Sequence, residues 1–207
     1  TKAQIDELPE LPEGWCWAGL GELIEHPKYG TSRKCDYTET EYPVLRIPNI
    51  ASGKIETTEL KYAKMDAEEA GGYFLAEEDI LMIRSNGSLS IVGKCALANE
   101  THTHMLFAGY LILLRTNTNL ISANYILRQL KSDKLRHQIE RAAKSTSGVN
   151  NINAKQIQSL VIALCPEQEQ QEISCIIEAK LQCMENLIEA EKTSSSELGT
   201  LTQSLLA

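Results

Sequence analysis

The sequence predicts an α+β fold: a mixed, largely antiparallel β-sheet domain with helices, followed by a long C-terminal coiled-coil α-helix. Three observations carry this. From Pro12 to about Cys165 short apolar runs alternate with turn residues, from Glu167 onward there is no proline and one helical period, and Pro166 stands between the two textures. The expected domains are residues 1–165 and residues 166–207.

In the first segment Val44–Ile50, Lys54–Tyr62, Asp79–Arg84, Ser90–Ala98 and Leu106–Arg115 read as strands, with turns at Ser52-Gly53, Asn86-Gly87 and Asn99-Glu100. Asp66–Ala70 reads as a short helix. Ser122–Lys144 reads as a longer one, with Ile126, Leu127, Leu130, Leu135 and Ile139 on its apolar positions. The terminal segment fits a heptad with Ile177, Met184, Leu198 and Leu205 at a, and Ile173, Leu187 and Leu201 at d. Lys180, Glu191 and Ser194 interrupt the seam. A helix of about 40 residues would reach roughly 60 Å, further than a small sheet needs for cover, so a partner helix is expected.

Composition removes several classes. The longest apolar run, Leu106 to Leu114, is far shorter than the roughly 20 residues a spanning helix requires. No basic stretch followed by an apolar core and a small-residue cleavage site opens the sequence, and the expected location is cytoplasmic, with no membrane partner. Six cysteines (Cys16, Cys35, Cys95, Cys165, Cys175 and Cys183) form no CxxC pair, so reduced, mostly buried thiols are expected and no metal site. His102 and His104 alternate as on a strand. The segment Gly87 to Cys95 imitates a phosphate-binding loop, but five residues separate Gly87 from Gly93 and Cys95 replaces the magnesium-binding hydroxyl. It reads better as turn plus strand. Nucleophile-elbow, zinc-protease and dinucleotide motifs are all absent, as is the Asn-Pro-Pro-Tyr type motif of an amino-methyltransferase. No catalytic residue is nominated and a binding role leads.

The net charge of −8 conceals a division. Residues 166–207 hold Lys180 and Lys192 against eight acids, whereas Arg128, Lys131, Lys134, Arg136, Arg141, Lys144 and Lys155 face only Asp133 and Glu140 in their stretch. A solvated helix face is the alternative reading of that stretch. A second basic group, Lys28, Arg33 and Lys34, sits beside Tyr29, Thr31 and Ser32, a mixture able to hold phosphates through charge and backbone N–H groups. Arg84, Asn86 and Ser88 offer a guanidinium, an amide and a hydroxyl to base edges, as do Asn150, Asn151 and Asn153 with the hydroxyls of Ser145, Thr146 and Ser147. Either group taken alone is also ordinary turn chemistry.

Taken together, Leu11-Pro-Glu-Gly-Trp15, Leu20-Gly-Glu-Leu23, Tyr29-Gly-Thr-Ser32, Pro43-Val-Leu-Arg46-Ile-Pro-Asn49-Ile50, Asp79-Ile-Leu, Arg84-Ser-Asn-Gly-Ser88, Val92-Gly-Lys94, Ala108-Gly-Tyr-Leu-Ile112 and Ser147-Gly-Val-Asn-Asn-Ile-Asn153 resemble the specificity subunit of type I restriction-modification enzymes. Pro166 with Glu169-Gln170 and Ile173 extends the match into the helix. The resemblance implies a target recognition domain for double-stranded DNA followed by a conserved spacer helix. Each motif occurs once, so the chain looks like half a subunit, reading half of a bipartite target. Implied DNA contacts are Lys28, Tyr29, Thr31, Ser32, Arg33, Lys34, Arg84, Asn86, Ser88, Lys94, Lys144, Asn150, Asn151 and Asn153. Implied partners are methyltransferase subunits, a restriction subunit, and a second copy or second half-subunit paired through Ile173, Ile177, Met184, Leu187, Leu198, Leu201 and Leu205. The chain itself is expected to be non-catalytic, with S-adenosylmethionine, ATP and Mg on the partner subunits. The competing reading is an assembly module whose helix binds methyltransferase subunits without touching DNA. Arg46, Asn49 and Tyr29 are the residues of the resemblance most open to a purely structural role.

Overall fold

The computed structural model describes residues 8–146 and 148–205, the side chains of 144–146 and 195–205 excepted. Its elements in order are β1 (Cys16–Gly19), α1 (Leu20–Leu23), β2 (Lys28–Tyr29), β3 (Cys35–Asp36), β4 (Tyr42–Leu45), α2 (Ile47–Ile50), β5 (Lys61–Ala63), α3 (Ala67–Gly71), β6 (Ile80–Ile83), β7 (Ser85–Asn86) and β8 (Cys95–Leu97). There follow a 3₁₀ turn (Glu100–His102), β9 (Leu106–Phe107), β10 (Leu111–Leu114), α4 (Ala123–Leu130), α5 (Asp133–Ala142), β11 (Lys144–Thr146), β12 (Val149–Asn151), α6 (Ala154–Gln158), β13 (Val161–Leu164) and α7 (Glu167–Leu205). The chain separates into two compact units, 1–167 and 168–207.

Among the described residues, four small sheets build the first unit. The central one has the order β2-β10-β6-β8 and is antiparallel throughout. Ile80–Ile83 and Leu111–Leu114 are buried at every position, so neither strand shows polar alternation. Leu81, Ile83, Leu111 and Leu113 face a cluster with Leu45, Ile50, Leu75 and Phe107. A second sheet, β3-β5-β4-β9, contains the parallel pair β4–β9. The third, β11-β12-β7, is built from residues whose sequence reads as turns, and the fourth pairs β1 with β13. Helices α4 and α5 are pinned to β13 by side chains. Tyr125 donates its hydroxyl to the Ala163 carbonyl at 2.9 Å, and the Gln138 amide exchanges two hydrogen bonds with the Val161 backbone at 2.8 and 2.9 Å.

The α+β class and the long terminal helix are as expected, but several element boundaries are not. Val44–Ile50 is half strand and half helical turn, because Pro48 suits a first turn and the Asn49 side-chain Oδ1 accepts the Arg46 N–H at 2.9 Å. Lys54–Tyr62 is mostly irregular and joins a sheet only from Lys61. Ser90–Ala98 is turn until Lys94. Leu106–Arg115 is two strands in different sheets, folded at Gly109-Tyr110. The Ser122–Lys144 helix breaks at Lys131-Ser132, where the Ser132 hydroxyl caps a new helix by accepting from Leu135 N–H, and Lys144 belongs to a strand. His102 and His104 lie on a 3₁₀ turn and a positive-φ residue instead of a strand. Of the six cysteines only Cys95 and Cys165 are buried, whereas Cys16, Cys175 and Cys183 are exposed. Burial pushes the Cys95 thiol up to about 12.

One ion pair anchors the middle of the sheet domain. Asp79, 1% exposed, receives Arg115 Nε and Nη2 at 2.7 and 2.6 Å and the Ala76 N–H at 2.7 Å. It therefore joins the loop before β6 to the end of β10. Asp79→Ala leaves a guanidinium and an amide without their acceptor. A loss of about 3 kcal/mol of unfolding free energy is expected, the lower end for a broken buried pair because Arg115 is partly solvated; urea denaturation measures it, and a loss below about 1 kcal/mol contradicts the anchoring role.

Candidate nucleic-acid interface

A groove of about 690 Å³ opens on the sheet domain. Tyr29, Gly30, Thr31, Ser32, Arg33 and Lys34 form one wall; Arg46 to Pro48, Arg84, Ser85 and Ala108 to Tyr110 complete it. Its backbone approach is unusually close at Gly30, where a Cβ would meet the carbonyl oxygens of Phe107 and Ala108 at 2.3 Å each. Only glycine allows that contact. It lets the Thr31 N–H reach the Phe107 carbonyl at 2.8 Å, and the Thr31 carbonyl accept from Gly109 at the same distance.

Arg84 lies where the walls meet. Its Nε donates to the Gly109 carbonyl at 2.9 Å, its Nη1 donates to Asn151 Oδ1 at 2.8 Å, and its guanidinium lies 4.8 Å from the Tyr29 ring centre. The Tyr29 hydroxyl in turn accepts from the Ala154 N–H at 3.0 Å. Beyond Arg84 the chain enters β7, which pairs with β12 so that Asn86 lies opposite Asn150 and Ser85 opposite Asn151. The two polar loops of the sequence are thus one sheet beside one groove.

The structure assigns the nominated residues different duties. Lys28, Ser32 and Lys34 are exposed, and Tyr29 is 44% exposed on the groove. Arg33 is exposed but forms a double hydrogen bond with Glu69, at 2.8 and 2.7 Å, whose carboxylate holds the guanidinium above its ordinary pKa. Thr31 is buried, with its hydroxyl accepting from Arg33 N–H, so it shapes the loop and offers a ligand nothing. Asn86 Oδ1 accepts from Ser88 N–H at 2.8 Å, and Asn150 Nδ2 donates to the Gly87 carbonyl at 3.0 Å. Ser88 shares a 2.8 Å hydroxyl contact with Ser90. Asn153 is a helix cap: its Oδ1 accepts from Gln156 N–H at 3.0 Å, while Gln156 Oε1 accepts from Asn153 N–H at 2.8 Å. Its side chain is already engaged. Lys94 lies outside the groove, and the Lys144 side chain is outside the described residues.

The basic stretch from Arg128 to Lys155 is no single face, because it spans parts of three helices and two strands. Lys134 lies 3.8 Å from the Trp17 ring centre, and Arg136 donates to the carbonyls of Val92 and Leu89 and to Glu140. Arg46, which the sequence leaves open to a structural role, lines the groove while its Nη2 donates to the Glu59 carbonyl at 3.0 Å, and neither Tyr110 nor Tyr37 is among the nominated contacts. Tyr110 is 64% exposed on the groove, and Tyr37, 67% exposed, carries Lys61 at 4.7 Å from its ring centre. Exposed aromatics between polar loop residues were the available signal.

The helix α7, taken by itself, is about 58 Å long for its 39 residues. Ile176, Leu181, Met184, Leu187 and Ile188 are all at least two-fifths exposed. Ile177, Leu181, Met184 and Ile188 follow each other at spacings of four, three and four. This seam uses Leu181 in place of the polar Lys180 of the expected heptad. The Leu198, Leu201 and Leu205 side chains lie outside the described residues.

The α+β domain followed by one long helix recurs in solved structures. The solved structures that share it include a chain from a study of the assembly and conformational transition of the type I R-M system, with TM-score 0.71 and 21% identity over 98% of this chain and 48% of that one. Another is the HsdS subunit of Thermoanaerobacter tengcongensis, with TM-score 0.67 and 16% identity over 93% of this chain and 49% of that one. The chain belongs to the type I restriction modification DNA specificity domain family, whose model matches residues 12–197. Among curated relatives, the EcoKI specificity subunit of Escherichia coli K12 is 29% identical over 235 residues, covering all of this chain and 50% of its own length. The chain spans about half the length of that relative. No helix among the described residues is long and apolar enough to cross a membrane.

The duty found for Asn153 is separable from recognition. Asn153→Ala is expected to cost about 1 kcal/mol of stability through the lost cap, while Asn153→Asp, which keeps the acceptor, retains most of it. Chemical denaturation of the two variants checks this, and equal losses in both contradict the capping assignment.

Proposed function

We propose that this chain is the sequence-reading half-subunit of a type I restriction-modification system. It binds one half of a bipartite duplex target and directs methyltransferase and endonuclease subunits to it. The observation that carries the reading is that Tyr29–Lys34 and the sequence-distant Arg84–Ser85 line one groove, from whose edge the polar β7–β12 pair continues. In this reading Lys28 and Lys34, both exposed, take phosphates. The exposed edge of Tyr110, the free amide N–H groups of Asn86 and the remaining oxygen of Asn150 are the groups for base edges. Arg84, Thr31 and Asn153 hold that surface in shape. The reading gives this chain no bond-making step, leaving S-adenosylmethionine, ATP and Mg to the partner subunits, and a cytoplasmic location follows from that assembly. The α7 seam pairs with a second copy or a second half-subunit, which completes a two-part target.

Duplex capture from a randomised library, repeated over a salt series, tests the reading. Phosphate contacts release counterions, so log affinity falls linearly with log salt, and Lys28→Gln with Lys34→Gln should reduce the slope by about two. An assembly module without DNA contact predicts indifference to both changes; failure to retain any duplex at low salt, with the methyltransferase partner present, removes the reading. For α7, Met184→Glu with Leu181→Glu should convert an associated species to monomer in light scattering. A wild-type chain that stays monomeric at high concentration contradicts self-pairing.

A further inference from the structure

A second depression, of about 380 Å³, lies where the turn Ala51 to Gly53 meets Ser90, Gly93 and Lys94 and the junction of α4 and α5. Its lining carries Lys94, Lys131 and Arg136 against Asp133. Lys94 Nζ donates to the Ala51 carbonyl at 3.0 Å, and Lys131 Nζ donates to the Gly53 carbonyl at 3.1 Å. The two ammonium groups therefore converge on a single three-residue turn. Each has spent one of its three N–H donors there. Arg136 also lines the depression, but its donors go to carbonyls and to Glu140, which leaves Asp133 as the carboxylate on the lining. Partial desolvation, with Arg128 and Lys54 nearby, holds the Lys131 ammonium below the ordinary lysine value against the opposing pull of the Cys95 sulfur. Burial first, and the neighbouring cations after it, make its charge harder to keep, and a bound anion would offset both.

The position of the depression matters as much as its charge. Arg46, Ile47 and Pro48, at the start of α2, line the first groove, while Ala51, Ser52 and Gly53, just past its end, line the second. One helical turn separates them, roughly 6 Å of rise for four residues. Successive phosphates of a duplex strand advance about 3.4 Å along its axis, so a backbone leaving the first groove reaches the second within about two nucleotides.

We propose that Lys94 and Lys131 form a phosphate-binding site, separate from the base-reading groove, that grips the nucleic-acid backbone flanking the recognised half-site. The source of the phosphate rests on the proposed DNA reading; the affinity of the site for a phosphoryl oxyanion does not. Contacts of this kind carry no sequence information and set register and affinity instead.

The test uses the full chain and the double variant Lys94→Gln with Lys131→Gln, and Lys94→Arg with Lys131→Arg as the charge-preserving control. In the duplex arm the glutamine pair should lower the slope of log affinity against log salt by about two, equally for matched and mismatched sequences, and the arginine pair should restore it. In the second arm, inorganic phosphate is compared with chloride at equal ionic strength. A thermal shift lost in the glutamine pair and kept in the arginine pair supports the site even if the chain binds no duplex, in which case the DNA reading alone fails. An unchanged salt slope together with no variant-dependent phosphate shift overturns the site. So does a loss in either arm that arginine does not restore, since it marks a purely structural role for the two lysines.

Discussion

The guanidinium of Arg84 is the tie on which the groove depends. It leaves the end of β6, in the buried central sheet, and reaches three other places: the Gly109 carbonyl in the turn between β9 and β10, Asn151 on β12, and the face of Tyr29 on β2. None of the sheets it connects is large. Strands of two to four residues cannot hold one another in register through ladder hydrogen bonds alone, since short pairings are marginal in water. A planar group with fixed donor directions supplies the missing constraint. The backbone repeats the tie, with Arg84 N–H donating to Tyr110 and its carbonyl accepting from Ile152. Gly30 completes the arrangement by letting the Tyr29–Lys34 segment lie directly on the chain at Phe107 and Ala108.

That dependence explains what was legible in the sequence. Ile80–Ile83 and Leu111–Leu114 are dense enough in apolar residues to declare themselves as buried strands, and the proline-free tail declares itself as helix. The third sheet does not. Ser85–Asn86 carries turn residues and becomes a strand only through β12, more than sixty positions away, and no local pattern encodes such a partner; Val149–Asn151 pairs with its sequence neighbour β11 as well. Other features were present locally and outweighed by a longer pattern. Asn153-Ala-Lys-Gln156 has the spacing of a capping box, and Ser132 stands in cap position inside what reads as one continuous amphipathic helix.

The charges show the same limit at the site. Counting bases in the Arg128 to Lys155 stretch treats them as equivalent, yet the fold spends them very differently. Arg136 is consumed by two carbonyls and a carboxylate, Lys134 lies over an indole, and Lys131 keeps most of its donors. The same holds near the groove, where Arg33 is neutralised by Glu69 while its neighbour Lys34 lies exposed. The charge available to a polyanion is what remains after internal partners are satisfied, and those partners come from distant segments.

A further property follows from which atoms the internal cations choose. Arg84 binds the Gly109 carbonyl, Arg46 the Glu59 carbonyl, Lys94 the Ala51 carbonyl, Lys131 the Gly53 carbonyl, and Arg136 the carbonyls of Val92 and Leu89. Backbone acceptors are present whatever side chain the residue carries. A framework clamped in this way keeps its shape while the side chains between the clamps are replaced, provided the chain path is kept. Tyr110, adjacent to clamped Gly109, and the exposed faces of Ser88 and Asn150 lie between such points. The bond from Arg84 to Asn151 is of the other kind, one side chain gripping another. Replacement of Asn151 would loosen the link between β12 and the groove, whereas replacement of Asn150 alters what the same strand presents. The scaffold thus separates residues that hold the surface from residues free to define what it reads, and it does so by choosing carbonyls over side chains as anchors.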